Sequence, residues 1–244
     1  MAADRVGQTA DRPRPEVDIG FVLFPNLTQL DLTGPWEALA RVPGARTHLV
    51  AKTLAPILSD TGLCLVPTVA FSECPDLDVV CVPGGPGVNE AMLDDEVIAF
   101  LRRQAANARY VTSVCSGALV LGAAGLLRGY LATTHWASMG FLKSFGAKAV
   151  NTRVCVDRNR ITGGGVTAGI DFGLYVASTI ADKQTAERIQ LYMEYAPEPP
   201  FDSGSPETAP GQVVGEYHKQ AAAMIARRAE AVAIAAAHLA ESDA

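Results

Sequence analysis

Residues 110–118 read Tyr-Val-Thr-Ser-Val-Cys-Ser-Gly-Ala, a short β-favouring run that stops at Cys115 and continues into a helix-favouring segment. A sharp turn from strand to helix needs small neighbours, and it lifts the middle side chain out of the core. The first backbone N–H groups of such a helix carry partial positive charge, which favours a thiolate over a thiol. We therefore expect Cys115 to be a nucleophile that rests as a thiolate.

Strands and helices alternate along the chain on both sides of this turn. Four apolar, β-favouring runs precede it, and the third is interpreted as an edge strand that tolerates its proline; they lie at residues 17–24, 47–51, 64–69 and 77–82. Helical spacing is found between and after them, at residues 31–39, 94–106 and 116–124. Continuous apolar strands that alternate with helices predict an α/β fold, with a mostly parallel central sheet and helices on both faces.

The C-terminal part of the chain changes in composition. We expect a β-hairpin at residues 154–162, helices at 166–180 and 182–193, and an extended strap at 197–211, which is rich in proline, glycine, serine and acids. Residues 212 to about 239 are alanine-rich and predict one long helix of about 40 Å. A helix of that length is expected to pack on a second subunit or across the surface of its own domain.

Three segments follow from these patterns. Residues 1–15 are polar and proline-bearing and predict a flexible N-terminal tail. Residues 16–196 predict the α/β domain that holds the cysteine turn, and residues 197–244 the strap and the long helix.

Composition excludes several function classes. The net charge of −6 argues against a nucleic-acid partner, which needs clustered Lys and Arg. The five cysteines form no C-x-x-C pair, so neither a disulfide framework nor a zinc site is expected, and we interpret Cys64, Cys74, Cys81 and Cys155 as small buried hydrophobes. Without a secretory signal, a membrane-spanning stretch or a phosphate-binding glycine loop, the sequence predicts a cytoplasmic protein with no membrane partner and no nucleotide.

A cysteine nucleophile needs hydrogen-bond donors for developing negative charge and a group that handles protons. The loop Pro-Gly-Gly-Pro-Gly at residues 83–87 ends a predicted strand at the same edge of the sheet as Cys115. Its Gly84 and Gly85 amides are candidates for an oxyanion hole, although a tight strand exit explains the glycines equally well.

Asp31 and His135 are the candidate proton carriers. Asp31 follows the exit loop of the first strand, where an acid is commonly a helix cap; beside a thiolate it would instead have a raised pKa and donate a proton. His135 stands in a Thr-Thr-His-Trp segment, and it is either the partner of Cys115 or a histidine satisfied within the core. The residues alone leave both alternatives open.

Taken together, the motifs resemble the ThiJ/PfpI superfamily over residues 17 to about 195. Four segments occur in the order found there: Phe-Pro-Asn-Leu-Thr-Gln-Leu-Asp-Leu-Thr-Gly-Pro at 24–35, Val-Pro-Gly-Gly at 82–85, Val-Cys-Ser-Gly-Ala at 114–118 and Thr-Thr-His-Trp at 133–136. Residues 195–206 also resemble the corresponding segment of the members that hydrate isonitriles. The resemblance implies a flavodoxin-like sandwich that is homodimeric and has no metal or organic cofactor.

The resemblance also assigns roles to residues. It makes Cys115 the nucleophile and Asp31 the acid that hydrogen-bonds the thiol. It implies that the amides of Gly85 and Ser116 form the oxyanion hole, and that His135 lies near the nucleophile. The isonitrile-hydrating members carry a threonine where this chain has Ser116, so the hydroxyl is kept and a methyl group is lost.

The activity that the resemblance implies is a hydro-lyase reaction in which an isonitrile is hydrated to an N-substituted formamide. Asp31 would act first as acid and then as base, with Ser116 orienting the water. Thr33 and the amides of Gly84 and Gly85 would position the substrate. The alternatives are another cysteine chemistry of the superfamily, glyoxalase-like or amide-hydrolysing, and a non-enzymatic sensor of oxidation or of a ligand.

Overall fold

The computed structural model describes residues 16–242, and the predicted N-terminal tail at residues 1–15 lies outside the described residues. The strands, in chain order, are β1 Val17–Val22, β2 Ala45–Ala51, β3 Ile57–Leu58, β4 Cys64–Leu65, β5 Val69–Ala70, β6 Val79–Val82, β7 Tyr110–Val114, β8 Leu131–Ala132, β9 Lys148–Ala149, β10 Val154–Asp157 and β11 Arg160–Gly163. The helices are α1 Gln29–Leu39, α2 Val88–Ala91, α3 Asp95–Ala105, α4 Gly117–Ala123, α5 Ala168–Ile180, α6 Lys183–Tyr192 and α7 Gly211–Ser242, together with a 3₁₀ helix at Trp136–Phe145.

The central sheet has seven strands in the order β10-β11-β7-β6-β1-β2-β5. Every neighbouring pair is parallel except β10 and β11, which form the predicted hairpin. All six residues of β1 and all four of β6 are buried, because helices cover both faces of the sheet. The predicted α/β class is confirmed, and the carboxyl ends of β1, β6 and β7 meet at one edge.

The prediction of a single edge strand at residues 64–69 is wrong. Cys64–Leu65 pairs antiparallel with β3 in a separate small sheet, and the edge strand of the main sheet is Val69–Ala70, beside β2. Pro67 has no backbone N–H, so the run cannot continue one hydrogen-bonded ladder through it. Cys64 is exposed, in contrast to the buried position expected for it.

Helices α1 and α5 approach each other closely at glycines. A Cβ atom on Gly173 would lie 2.8 Å from Cα of Pro35, and one on Gly169 would lie 3.1 Å from Cδ of the same proline. Such contacts leave no room for a side chain between the two backbones. Since α1 carries Asp31 in its first turn, this packing sets where the carboxyl group stands.

The long helix α7 lies across its own domain, against α2, α4 and the 3₁₀ helix. Its second half buries an apolar stripe formed by Ala231, Val232, Ala235 and Leu239. In its first half, the Tyr217 ring contacts the ring of Trp136, with centroids 4.9 Å apart. Among the helices described between residues 16 and 242, none is long and apolar enough to cross a membrane.

Candidate active site

Cys115 sits in the strained turn that the sequence predicts. Its φ angle is +56°, a left-handed conformation that costs a non-glycine residue about 1–2 kcal/mol. Neighbouring backbone holds it there: the Cys115 N–H points at the carbonyl oxygens of Gly164, at 2.9 Å, and Gly163, at 3.1 Å. Thr134 Oγ1 donates to the Cys115 carbonyl at 2.8 Å. The turn therefore fixes the direction of the thiol before any substrate arrives.

Asp31 and the turn at Cys115 meet at Gly84. A Cβ atom at this position would lie 2.6 Å from the Ser116 amide nitrogen, 2.8 Å from Cβ of Cys115 and 2.8 Å from Oδ2 of Asp31. Two of these three atoms belong to the cysteine turn, and the third is the predicted acid. Only glycine fits here, because the loop after β6 lies in direct contact with Asp31 and with the turn at Cys115.

The amides of this loop are already occupied, which revises the predicted oxyanion hole. The Gly84 N–H donates to Oδ2 of Asp31 at 3.0 Å, and the Gly85 N–H donates to Oγ of Ser116 at 3.1 Å. Ser116 Oγ also reaches the Gly85 carbonyl, at 3.4 Å. The two glycine amides therefore hold the carboxyl and the turn in place. The backbone amides that hydrogen-bond the Cys115 sulfur are those of Ser116 and Val166.

Asp31 is fully buried, and its carboxyl group bonds the loop after β6 rather than its own helix. Its carboxyl accepts from Gly84 and from no backbone N–H of its own helix, so the alternative that it is a helix cap is excluded. Burial raises the pKa of Asp31 to about 7; the negative charge of Asp60 adds to the shift, while the interactions with the Cys115 thiol and the Gly84 amide oppose it. Oδ1 makes no hydrogen bond within residues 16–242. This oxygen is therefore an unused acceptor in a buried site.

The expectation of a resting thiolate is wrong. Burial is the main cause that raises the pKa of Cys115 above its usual value, and the negative charge of Asp31 raises it further. Hydrogen bonds from the Ser116 and Val166 amides lower it, but burial outweighs them. Cys115 is thus a thiol at neutral pH, next to a carboxyl group that titrates near neutrality and can accept its proton.

His135 has a structural partner of its own. Its Nδ1 accepts the N–H of Ala137 at 3.2 Å and caps the 3₁₀ helix, and its ring lies beside those of Trp136 and Tyr217. Burial and the positive charge of Arg228 lower its pKa. These contacts favour the core histidine over the cysteine–histidine pair.

Thr33 has a hydrogen-bond partner in its own helix. Its Oγ1 donates to Oε1 of Gln29 at 2.8 Å, within the same helix. The structure thus brings Cys115, Asp31, Ser116 and the two glycines together, and the role of Thr33 in positioning the substrate stays a prediction.

Sequence reasoning missed Arg228. This side chain of α7 is 4% exposed and donates three hydrogen bonds. Nη2 donates to the Gly85 carbonyl at 3.0 Å, Nη1 to Oγ of Ser138 at 3.0 Å, and Nε to Oδ1 of Asn89 at 3.1 Å. A signal was present, because Arg228 is spaced three, four and seven residues from the apolar positions 231, 232 and 235, and so falls on the inner face of the helix.

A cavity of about 410 Å³ borders the site on the side of Val166, whose amide bonds the cysteine sulfur. The loop at residues 164–168 forms one wall, His135 and Trp136 form a second, and residues 204–207 of the strap form a third. The cavity is large enough for a small organic substrate. Within residues 16–242, no three His, Cys, Asp or Glu side chains are arranged to hold a metal ion.

Comparison with known proteins identifies one matching family and several similar proteins. A model of the DJ-1/PfpI family matches residues 17–179. Isonitrile hydratase of Pseudomonas putida is 56% identical over 91% of this chain and 98% of that protein. The HTH-type transcriptional regulator GbdR of Pseudomonas aeruginosa is 32% identical, over 65% of this chain and 45% of the regulator.

Solved structures show the same relationship. A THiJ/PfpI family protein from Pseudomonas syringae superposes with a TM-score of 0.88 at 43% identity, covering 95% of this chain and 97% of that one. DJ-1beta of Drosophila melanogaster, at 21% identity over 75% of this chain and all of that one, has a TM-score of 0.69 and shares the fold. The predicted resemblance is confirmed. Because the family match spans all strands of the central sheet together with Asp31 and Cys115, the chain belongs to the DJ-1/PfpI family.

Proposed function

We propose that the protein is a hydro-lyase that hydrates isonitriles to N-substituted formamides. The observation that carries the proposal is the 56% identity to isonitrile hydratase, which extends over 98% of that protein. The geometry is consistent with it: a thiol and a carboxyl group of raised pKa share one buried site. We propose Cys115 as the nucleophile and Asp31 as the proton carrier.

In the first half of the reaction, Asp31 takes the proton of the Cys115 thiol as the sulfur attacks the terminal carbon of the isonitrile. The carbon then receives that proton from Asp31, which gives a thioimidate, Cys–S–CH=N–R. A carboxyl group with a pKa of about 7 suits both steps, since it neither holds nor releases the proton too strongly at neutral pH. The amides of Ser116 and Val166 stabilise negative charge on the sulfur.

In the second half, water adds to the thioimidate carbon. Asp31 takes a proton from the water and the nitrogen receives one, which gives a tetrahedral adduct that bears a hydroxyl, the sulfur and an N–H. The carbon–sulfur bond then breaks, the hydroxyl proton returns to the sulfur by way of Asp31, and the formamide leaves. Ser116 contributes by locking the turn to Gly85, because its hydroxyl is already bonded there; this replaces the role of water orientation that was expected for it.

The test is to incubate the folded protein with a simple alkyl isonitrile and to measure the formamide by mass spectrometry. We expect turnover by the wild type and by the control variant Cys64→Ala, whose thiol is exposed and remote in sequence from the turn. Cys115→Ala should give none. A folded wild type that leaves isonitriles unchanged would refute the proposal, and consumption of methylglyoxal with formation of lactate would identify the glyoxalase-like alternative.

We also propose that the protein is a homodimer, as the family resemblance implies. Large apolar side chains on and after α6 are left exposed: Leu191 is 82% exposed, Tyr192 68% and Phe201 77%. A second copy could cover such a surface. Light scattering coupled to size-exclusion chromatography should give twice the mass of 25.6 kDa, and a monomer at micromolar concentration would contradict it.

A further inference from the structure

Arg228 is a buried cation whose hydrogen-bond partners are all neutral. The Gly85 carbonyl, the Ser138 hydroxyl and the Asn89 amide oxygen accept from its three nitrogens. It forms no salt bridge to any carboxylate within residues 16–242. Burying a charge without a counter-charge is costly, so a complementary negative group is expected nearby.

The negative groups that act on Arg228 identify this complement. Burial lowers the pKa of the Arg228 guanidinium, and the groups that oppose this shift are Cys115, Tyr217 and Glu90. Glu90 is exposed and Tyr217 is a neutral phenol at physiological pH. Cys115 is therefore the buried group that acts on Arg228, and it becomes negative when its thiol gives its proton to Asp31 in the proposed reaction.

Arg228 is also connected to this pair through one peptide. The carbonyl of Gly85 accepts from Arg228, while the N–H of Gly85 donates to Ser116. The preceding amide, that of Gly84, donates to Asp31. Movement of the guanidinium would therefore shift the loop that holds both the acid and the turn.

We propose that Arg228 is a positioning residue of the active site, which from α7 holds the loop of Gly84 and Gly85 against the cysteine turn and stabilises the negative charge of the pair formed by Cys115 and Asp31. The inference rests on the proposed role of Cys115 as the nucleophile. It implies that the active site is incomplete without the C-terminal helix. Arginine suits the position because its planar fork donates in three directions, whereas lysine keeps the charge and loses that geometry.

The test uses alkylation of Cys115 by iodoacetamide, which needs no isonitrile. Rates are measured from pH 6 to 10 by peptide mass spectrometry in the wild type, Arg228→Met, Arg228→Lys and the control Arg227→Met, which changes an exposed neighbour on the same helix. The exposed thiol of Cys64 is the internal reference in every sample.

At neutral pH we expect Arg228→Met to slow the alkylation of Cys115 about tenfold, with its pH curve moved about one unit upward, because a lost stabilising charge disfavours the thiolate. Arg228→Lys keeps the charge and loses part of the hydrogen-bond geometry, so its rates should lie between those of the wild type and Arg228→Met at each pH. Arg227→Met and the rate at Cys64 should not change. The other ionisable groups that act on this cluster, Tyr217, Glu90, His135 and Asp60, are the same in all four proteins.

A folded Arg228→Met protein whose Cys115 curve superposes on that of the wild type overturns the inference. If circular dichroism shows that this variant is unfolded, Arg228→Lys decides: wild-type rates at every pH then overturn it. A protein that shows the expected shifts and hydrates no isonitrile would refute the proposed function and keep the role of Arg228.

Discussion

Asp31→Asn is expected to stabilise the fold while it abolishes turnover. In the folded state burial raises the pKa of Asp31 from 3.8 to about 7, so between these two values the folded protein holds a proton that the unfolded chain has released. Stability therefore falls as the pH rises through this window, by about 1.4 kcal/mol per unit. At pH 7.5 the ionised carboxyl destabilises the fold by about 4 kcal/mol. Asparagine has nearly the same shape and no charge, and its carbonyl oxygen can still accept the Gly84 N–H.

The assay is denaturant and thermal unfolding of the wild type, Asp31→Asn and a control, Asp202→Asn, which changes an exposed acid of the strap. At pH 7.5 Asp31→Asn should unfold about 10 °C above the wild type, and at pH 4 the two should differ little. The control should lie within about 0.5 kcal/mol of the wild type at both values. An Asp31→Asn protein that is no more stable than the wild type at pH 7.5 would show that burial does not perturb this carboxyl group as described.

Three further predictions concern the same site. The kcat/KM for isonitriles should fall below a midpoint near pH 7, because protonated Asp31 cannot accept the thiol proton; a profile flat from pH 5.5 to 8.5 would contradict its role as base. Gly84→Ala should destabilise the fold by about 1–3 kcal/mol and lower kcat about 100-fold, since the methyl group meets backbone and both reacting residues. Gly140→Ala, with no neighbour within 4 Å of the added methyl group, should leave both unchanged in the same unfolding and turnover assays. Ser116→Ala leaves the Gly85 N–H buried without its acceptor and should cost about 1–3 kcal/mol in denaturant unfolding, whereas Ser116→Thr should retain activity; equal stability of Ser116→Ala and the wild type would contradict this.

The parts of the site that sequence could predict are those set by local chemistry or by sheet topology. The turn at Cys115 follows from a β-favouring run that ends among small residues, and the structure has the left-handed residue at that position. Asp31 and Gly84 follow the ends of β1 and β6, two parallel strands beside each other, so their meeting with the cysteine turn is a consequence of the topology.

The parts that could not be predicted depend on three-dimensional packing. Burial decides the ionisation of Cys115, and local sequence does not show how deeply a side chain is buried. The lowering of the thiol pKa by the N-terminus of the following helix was therefore overestimated. The amides of Gly84 and Gly85 point at Asp31 and Ser116, and no spacing rule specifies that direction. Arg228 comes from a helix far along the chain, where its placement depends on how α7 docks on the domain.

The close approach of α1 and α5 limits which residues can occupy two positions of α5. A methyl group at position 169 or 173 would press on Pro35, which stands one helical turn after Asp31. Such a change would displace α1 and with it Asp31, although the nearest neighbours of the added methyl group are neither Asp31 nor Cys115. Mutational surveys confined to the walls of the cavity would miss both positions, and variants there should combine a loss of stability with weakened catalysis. Activity is therefore expected to depend on Gly169 and Gly173 as well as on the residues that contact Cys115 and Asp31 directly.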